Sequence, residues 1–121
     1  MAIHEFDLTP QPVRASATGK QPLASALSVS GYKNGEAYLF VPAFEGTPAL
    51  TLTVRVIGGW QTDSEDGWLV INTFTSVTAS SGTAIHISLG FLPPYIRWEV
   101  SAIGGVGALA AFTITGTLSD T

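Results

Sequence analysis

Residues 47–77, TPALTLTVRVIGGWQTDSEDGWLVINTFTSV, hold two strand patterns separated by one polar turn. In the first, Leu50, Leu52, Val54 and Val56 alternate with Thr51, Thr53, Arg55 and Ile57. A period of two sends the aliphatic set to one face of a strand and a mostly polar set to the other. In the second, Trp68, Val70 and Phe74 fall on one face and Leu69 and Ile71 on the opposite one. That strand is apolar on both sides and calls for cover twice, the second cover coming from another subunit. Between the two, Thr62-Asp63-Ser64-Glu65-Asp66-Gly67 is rich in residues that bond their own backbone or tolerate positive φ, as a hairpin end requires. The stretch predicts a long β-hairpin.

The same period recurs on both sides of it. Ile3, Phe6 and Leu8 lie among polar residues in residues 1–12, which close on Pro10-Gln11-Pro12 and read as a short N-terminal arm. Residues 13–18 and 24–30 alternate, with turns at Gly19-Lys20-Gln21-Pro22 and Gly31-Tyr32-Lys33-Asn34-Gly35. Residues 36–44 are apolar and aromatic; Pro42 cannot donate to a ladder, so this strand is expected at an edge or to stop there. After a loop at residues 78–83, Ile85, Ile87 and Leu89 oppose His86 and Ser88, and Gly90-Phe91-Leu92-Pro93-Pro94 breaks the strand. Ile96, Trp98 and Val100 then point inward, with Tyr95, Arg97, Glu99 and Ser101 outward. Gly104, Gly105 and Gly107 read as a flexible turn before Phe112, Ile114 and Leu118 alternate with Thr113, Thr115 and Thr117. About eight strands joined by Gly and Pro turns, with no competing helical period, predict an all-β, antiparallel two-sheet sandwich of jelly-roll-like or Greek-key type over residues 13–121.

Composition narrows the function classes. A chain of 121 residues has the size of one domain and needs no cross-link or metal to be stable. It contains no cysteine, which removes thiol catalysis, disulfides and zinc–thiolate sites. Charged residues are 12% of the chain, against about 25% in an average domain. A surface so poor in charge is what the centre of a protein interface looks like. The five cations, Arg14, Lys20, Lys33, Arg55 and Arg97, are scattered singly in a chain of net charge −4, so no basic stripe exists for nucleic acid. Neither a leader after Met1 nor a run near the roughly 20 apolar residues that span a bilayer is visible, so the expectation is synthesis in the cytoplasm without membrane insertion.

Motifs for chemistry are sparse. The acidic turn at Asp63 to Gly67 lacks the 12-residue frame and terminal bidentate Glu of a helix-flanked calcium loop, and reads as a hairpin turn with no required ion. His4 and His86 stand without a second ligand at metal spacing. No serine sits in a Gly-x-Ser-x-Gly elbow, so neither an enzyme nor a cofactor is expected. Arg97 and Glu99 share a strand face and are placed to pair with each other or with Arg55 across the sheet. Trp60, Trp68, Trp98, Tyr32, Tyr38 and Tyr95 serve either core and interface packing or, if two or three are exposed on one sheet face, a carbohydrate-binding platform.

Taken as an ordered set, five segments resemble a pattern common in small virion proteins of tailed bacteriophages. They are residues 46–54 (GTPALTLTV), 62–68 (TDSEDGW), 74–83 (FTSVTASSGT), 95–98 (YIRW) and 111–116 (AFTITG). In that family a Gly-Thr-x-Pro-x-Leu strand precedes an Asp-Gly turn, a Tyr-Ile-Arg-type strand and a closing Phe-Thr-Ile strand; here Trp68 follows Asp66-Gly67 directly, closer than the usual spacing. The resemblance implies a structural virion protein: a capsid decoration (cement) protein, often trimeric, bound to the major capsid protein on the outer surface of the head, or else a tail or neck component. It carries over no catalytic, cofactor or metal residue. On this reading the candidate interface is Ile3, Phe6, Leu8, Trp60, Trp68 and Tyr95, with the N-terminal arm reaching a neighbour or the shell rather than folding back.

Overall fold

The computed structural model describes residues 3–78 and 82–120, with backbone alone for Ile3. Eight antiparallel strands make up most of it: β1 (Ile3–Asp7), β2 (Val13–Ala15), β3 (Gly19–Lys20), β4 (Leu27–Ser28), β5 (Asn34–Gly59), β6 (Leu69–Thr73), β7 (Thr83–Leu89) and β8 (Tyr95–Ser119). A single 3₁₀ turn, Leu23–Ser25, is the only helical element among the described residues. The all-β, antiparallel, eight-strand expectation therefore holds. What the periodicity drew as two stacked sheets is one continuous, strongly curled sheet, because segments read as separate strands are the two halves of β5 and of β8.

β5 and β8 pair with each other from Asn34↔Ser119 at one end of the ladder to Gly59↔Tyr95 at the other. β1 and β7 flank the half of the ladder nearest Asn34 and Ser119, on β8 and β5 respectively, while β3, β4 and β6 flank the other half. Register shifts between Phe40 and Ala43 and between Glu45 and Thr51 mark where the ladder bends. At the first of these, β5 advances from Phe40 to Ala43 while β8 steps only from Thr113 to Ala111, so one residue of β5 is extra. An extra residue reverses which face every later side chain occupies. Inward positions are accordingly odd before it (Ala37, Leu39, Val41) and even after it (Phe44, Leu50, Leu52, Val54, Val56), and all are buried. Pro42 lies inside this bulge and does not end the strand; the edge expectation holds locally, since the pairing with β7 stops at Val41 and β5 is paired on its β8 side alone here. There its missing N–H costs no ladder bond.

The glycine run expected as a flexible turn is instead part of β8 at the bend. Gly105 has φ +117° and Gly46, opposite, φ +140°. A Cβ on Gly105 would stand 2.8 Å from the Leu50 side chain, and one on Gly46 would stand 3.0 Å from it. Close approach and left-handed backbone both demand glycine here, and Leu50 fills the resulting gap.

A second correction concerns the N-terminus. Residues 3–7 form no free arm but fold back as β1 on the closing half of β8, in the register Phe6↔Gly116. Phe6 and Leu8 are both buried in the core, joined there by Val29, Phe74, Val77, Leu89, Ile96, Val100, Phe112, Ile114 and Leu118. Gly116 makes the space: a Cβ there would come within 2.6 Å of the Phe6 ring and closer still to the Glu36 carbonyl oxygen. An aromatic ring laid over a strand glycine restores the burial that the glycine lacks. Past β1, Leu8 N–H donates to the Ile114 carbonyl (2.9 Å) and Ile114 N–H to the Thr9 hydroxyl (2.9 Å), so the departing chain remains tied to β8. Of the remaining expectations, the loop at 78–83 falls on residues 79–81, outside the described set.

Gly116→Ala tests this seat. A strand Gly→Ala change ordinarily helps, but here overpacking is expected to cost about 1–3 kcal/mol. The urea midpoint should fall, and residues 3–8 should become open to protease in the native state.

Candidate functional site

The turn that ends the β5–β6 hairpin folds over the outer face of β8 and buries Arg97, which is 1% exposed. Arg97 Nη1 and Nη2 donate to the two carboxylate oxygens of Glu65 at 2.9 and 3.1 Å, and Nε donates to the Gln21 carbonyl at 2.7 Å. The guanidinium carbon lies 4.7 Å from the Trp68 ring centroid, and the Trp68 indole N–H donates to the Ser64 carbonyl (3.0 Å). Gln21 in turn accepts from Trp98 N–H and donates to the Ser25 carbonyl. Of the pairings that the strand position allowed, Glu99 takes the one with Arg55 across the sheet, and Arg97 reaches the acidic turn instead of Glu99. The acidic side chains of that turn are the trace this contact leaves in the sequence. Each of the three guanidinium nitrogens donates to a partner, which makes this a structural clasp.

Hydrogen bonds from Arg97 hold the Glu65 carboxyl below its usual value of 4.5; desolvation opposes this, and the charges of Arg97 and Lys20, 3.8 Å away, add to it. A carboxyl depressed in the folded state stabilises the fold above its unfolded value, and that contribution is lost as pH falls through the folded value. Glu65→Gln is therefore expected to lower the urea midpoint at pH 7. At pH 3 and below the gap between variant and parent should shrink, since both then lack the charge.

Two open surfaces carry exposed aromatic rings. At the end of the sheet where β5 stops and β8 starts, Trp60 (54% exposed), Leu69 (58%), Val70 (48%) and Phe91 (73%) form an apolar patch around a groove of about 200 Å³. The Trp60 and Phe91 rings lie 6.2 Å apart at 35°. Leu69 and Val70, adjacent on β6, are both exposed, while Ile71, the residue skipped by the register shift between Val56 and Ile57, packs on the core. The strand read as apolar on both faces is thus uncovered in the single chain. On the far half of the sheet, a trough of about 520 Å³ runs along the outer face of β1, β8 and β5, between Glu5 and Asp7 on one wall and Tyr38 on the other, with Thr115 and Thr117 between them.

The six candidate interface residues part company. Trp60 belongs to the patch; Trp68 sits against Gly59 and over Arg97; Tyr95, half-buried, pairs with Gly59 at the same end. Phe6 and Leu8 are core residues, because β1 docks on its own chain, and the Ile3 side chain lies outside the described residues. Phe91 was missed: its Gly-Pro surroundings read as a strand break, although an aromatic in a loop without core spacing is itself a signal. His86, which has no second ligand at metal spacing in the sequence, stands 3.2 Å from Glu36 across the sheet and packs on Tyr38 with ring centroids 4.9 Å apart. Among the described residues, no three His, Asp or Glu side chains converge as a metal site would require, and no helix is long and apolar enough to cross a membrane. No protein-family model matches the chain, nor does any curated protein or solved structure.

Proposed function

We propose that this chain is a structural virion protein, a capsid decoration (cement) protein that assembles as a homotrimer on the outer surface of a tailed-bacteriophage head and bridges subunits of the major capsid protein. The apolar end carries this reading. Leu69 and Val70 lie on β6, which stands at the edge of the sheet, next to Trp60 and Phe91. An exposed, uncharged edge strand invites pairing with another chain. Apolar surface left in water costs about 25 cal/mol per Å², and a contiguous patch of this kind marks a binding site. Rotational symmetry is the usual way for copies of one chain to cover such a patch.

The patch fits protein better than sugar. Its groove is lined by Trp60, Leu69, Val70, Ile71, Gly90, Phe91 and Pro93, whose side chains offer a sugar no carboxylate, amide or hydroxyl, the Trp60 indole N–H being their one polar group. The resemblance of residues 46–118 to phage virion proteins and the low surface charge add to the same reading.

The test is assembly on heads that lack the protein. Added in solution, it is expected to scatter light as a trimer, bind the shells and raise the temperature at which they open. The double variant Leu69→Ser with Phe91→Asp changes only exposed side chains and should stay folded while losing binding by roughly a hundredfold, the effect of removing two interface anchors. A monomer that neither binds shells nor changes their heat resistance ends this reading.

A further inference from the structure

The geometry points to a second binding surface, for a neutral oligosaccharide, on the outer face of the sheet half built from β1, β8, β5 and β7. Register fixes its plan. One rung across the sheet carries Asp7, Thr115, Tyr38 and His86 side by side; the next carries Glu5, Thr117, Glu36 and Ser88. All eight point away from the core, since their neighbours Phe6, Gly116, Ala37 and Leu39 point into it. The trough of about 520 Å³ lies between the β1 carboxylates and Tyr38. Adjacent strands stand about 4.8 Å apart, so β1 and β5 place these walls about 10 Å from each other, enough to admit a flat ring.

The mixture of groups selects the ligand. Tyr38 and Phe40 are large rings left 45% and 46% exposed at alternate positions of one strand, on a face that is otherwise hydroxyl and charge. Alternate positions lie roughly 6.8 Å apart along a strand, so the two rings offer successive stacking surfaces. Beside them Thr113, Thr115 and Thr117 form a column of hydroxyls that both donate and accept. Carboxylates accept two hydroxyl donors each, and Asp7 is held for this by the Thr9 N–H at 3.0 Å. His86 packs against Tyr38 on the β7 side and sets that ring from behind while the trough lies on the β8 side. Aromatic faces flanked by a few convergent polar groups are how a pocket takes a ligand that is apolar on its ring face and polar at its rim.

Other ligands fit less well. A metal ion needs ligands that converge, and these carboxylates are spread along a wall. Polyanions would meet only repulsion from Glu5 and Asp7. A guanidinium group could pair with the carboxylates and stack on a ring, but it brings donors alone, so the donor capacity of the threonine column would go unused. This surface is remote from the Trp60–Phe91 patch and does not rest on the decoration reading.

A printed glycan array with the intact chain is the first test, followed by titration calorimetry on the neutral glycan giving the strongest signal. Neutral oligosaccharides are expected to bind and sulfated ones not. Tyr38→Ala and Asp7→Asn should each weaken binding by roughly tenfold or more, while Trp60→Ala, on the other surface, leaves it unchanged. Asn at position 7 keeps an acceptor for Thr9, so loss in that variant reports the ligand and not the fold. Absence of any neutral glycan signal overturns the proposal, as does binding that survives Tyr38→Ala. Capture of a nona-arginine peptide with no neutral glycan bound overturns it too, in favour of a cationic protein segment. Shell binding is read separately, so either result stands without the other.

Discussion

Everything in this fold hangs on the antiparallel ladder between β5 and β8. Each of these strands runs through both halves of the sheet, so the inner faces that meet in the core are covalently continuous. The bend at Gly46, Leu50 and Gly105 is what turns a ribbon into an enclosed core. The bulge at Pro42 keeps the apolar set inward on both sides of that bend. Without the extra residue, alternation would carry Phe44, Leu50, Leu52, Val54 and Val56 to the solvent face, and the core would lose most of its β5 side chains.

The Arg97 clasp solves a different problem. Where the 61–68 turn lies on the outer face of β8, Arg97 is closed off from water, and a cation enclosed there must be matched. Glu65 supplies the charge, Gln21 a carbonyl, and Trp68 a ring face. The result pins a long polar turn to the β3 and β8 strands and holds the hairpin at a fixed angle. Because the neighbouring turn is fixed, the apolar end beyond it has a defined shape.

Periodicity made the strands legible and composition made the class legible. Leu50, Leu52, Val54 and Val56, and likewise Phe112, Ile114 and Leu118, face inward as alternation requires. The continuity of β5 and β8 was not legible, since proline and clustered glycines look the same in a sequence whether they end a strand or bend it. Arg97 escaped for a related reason: a period of two predicts which face a side chain takes, but not whether a distant turn will cover that face. Phe6 was read as a group without a core position because nothing local to residues 1–12 announces Gly116, the vacancy that receives it. As for the open surfaces, Tyr38 and Phe40 were visible as residues of an alternating strand, while their alignment with Asp7 and Thr115 exists only through the register of three strands.

Continuity of the two strands also governs how the chain comes into being. At the ladder's outer rung, Asn34 and Ser119 are 119 − 34 = 85 residues apart in sequence. Pairings of such separation close slowly, since the entropy of a long loop is spent before any contact rewards it. As the chain leaves the ribosome, β5 emerges long before β8, carrying Leu39, Phe40, Val41 and Phe44 with no partner for its backbone. A long nascent strand in that condition is a template for pairing between chains. The bulge and proline near its middle interrupt that template, so the irregularity that shapes the mature sheet also guards the unfinished one.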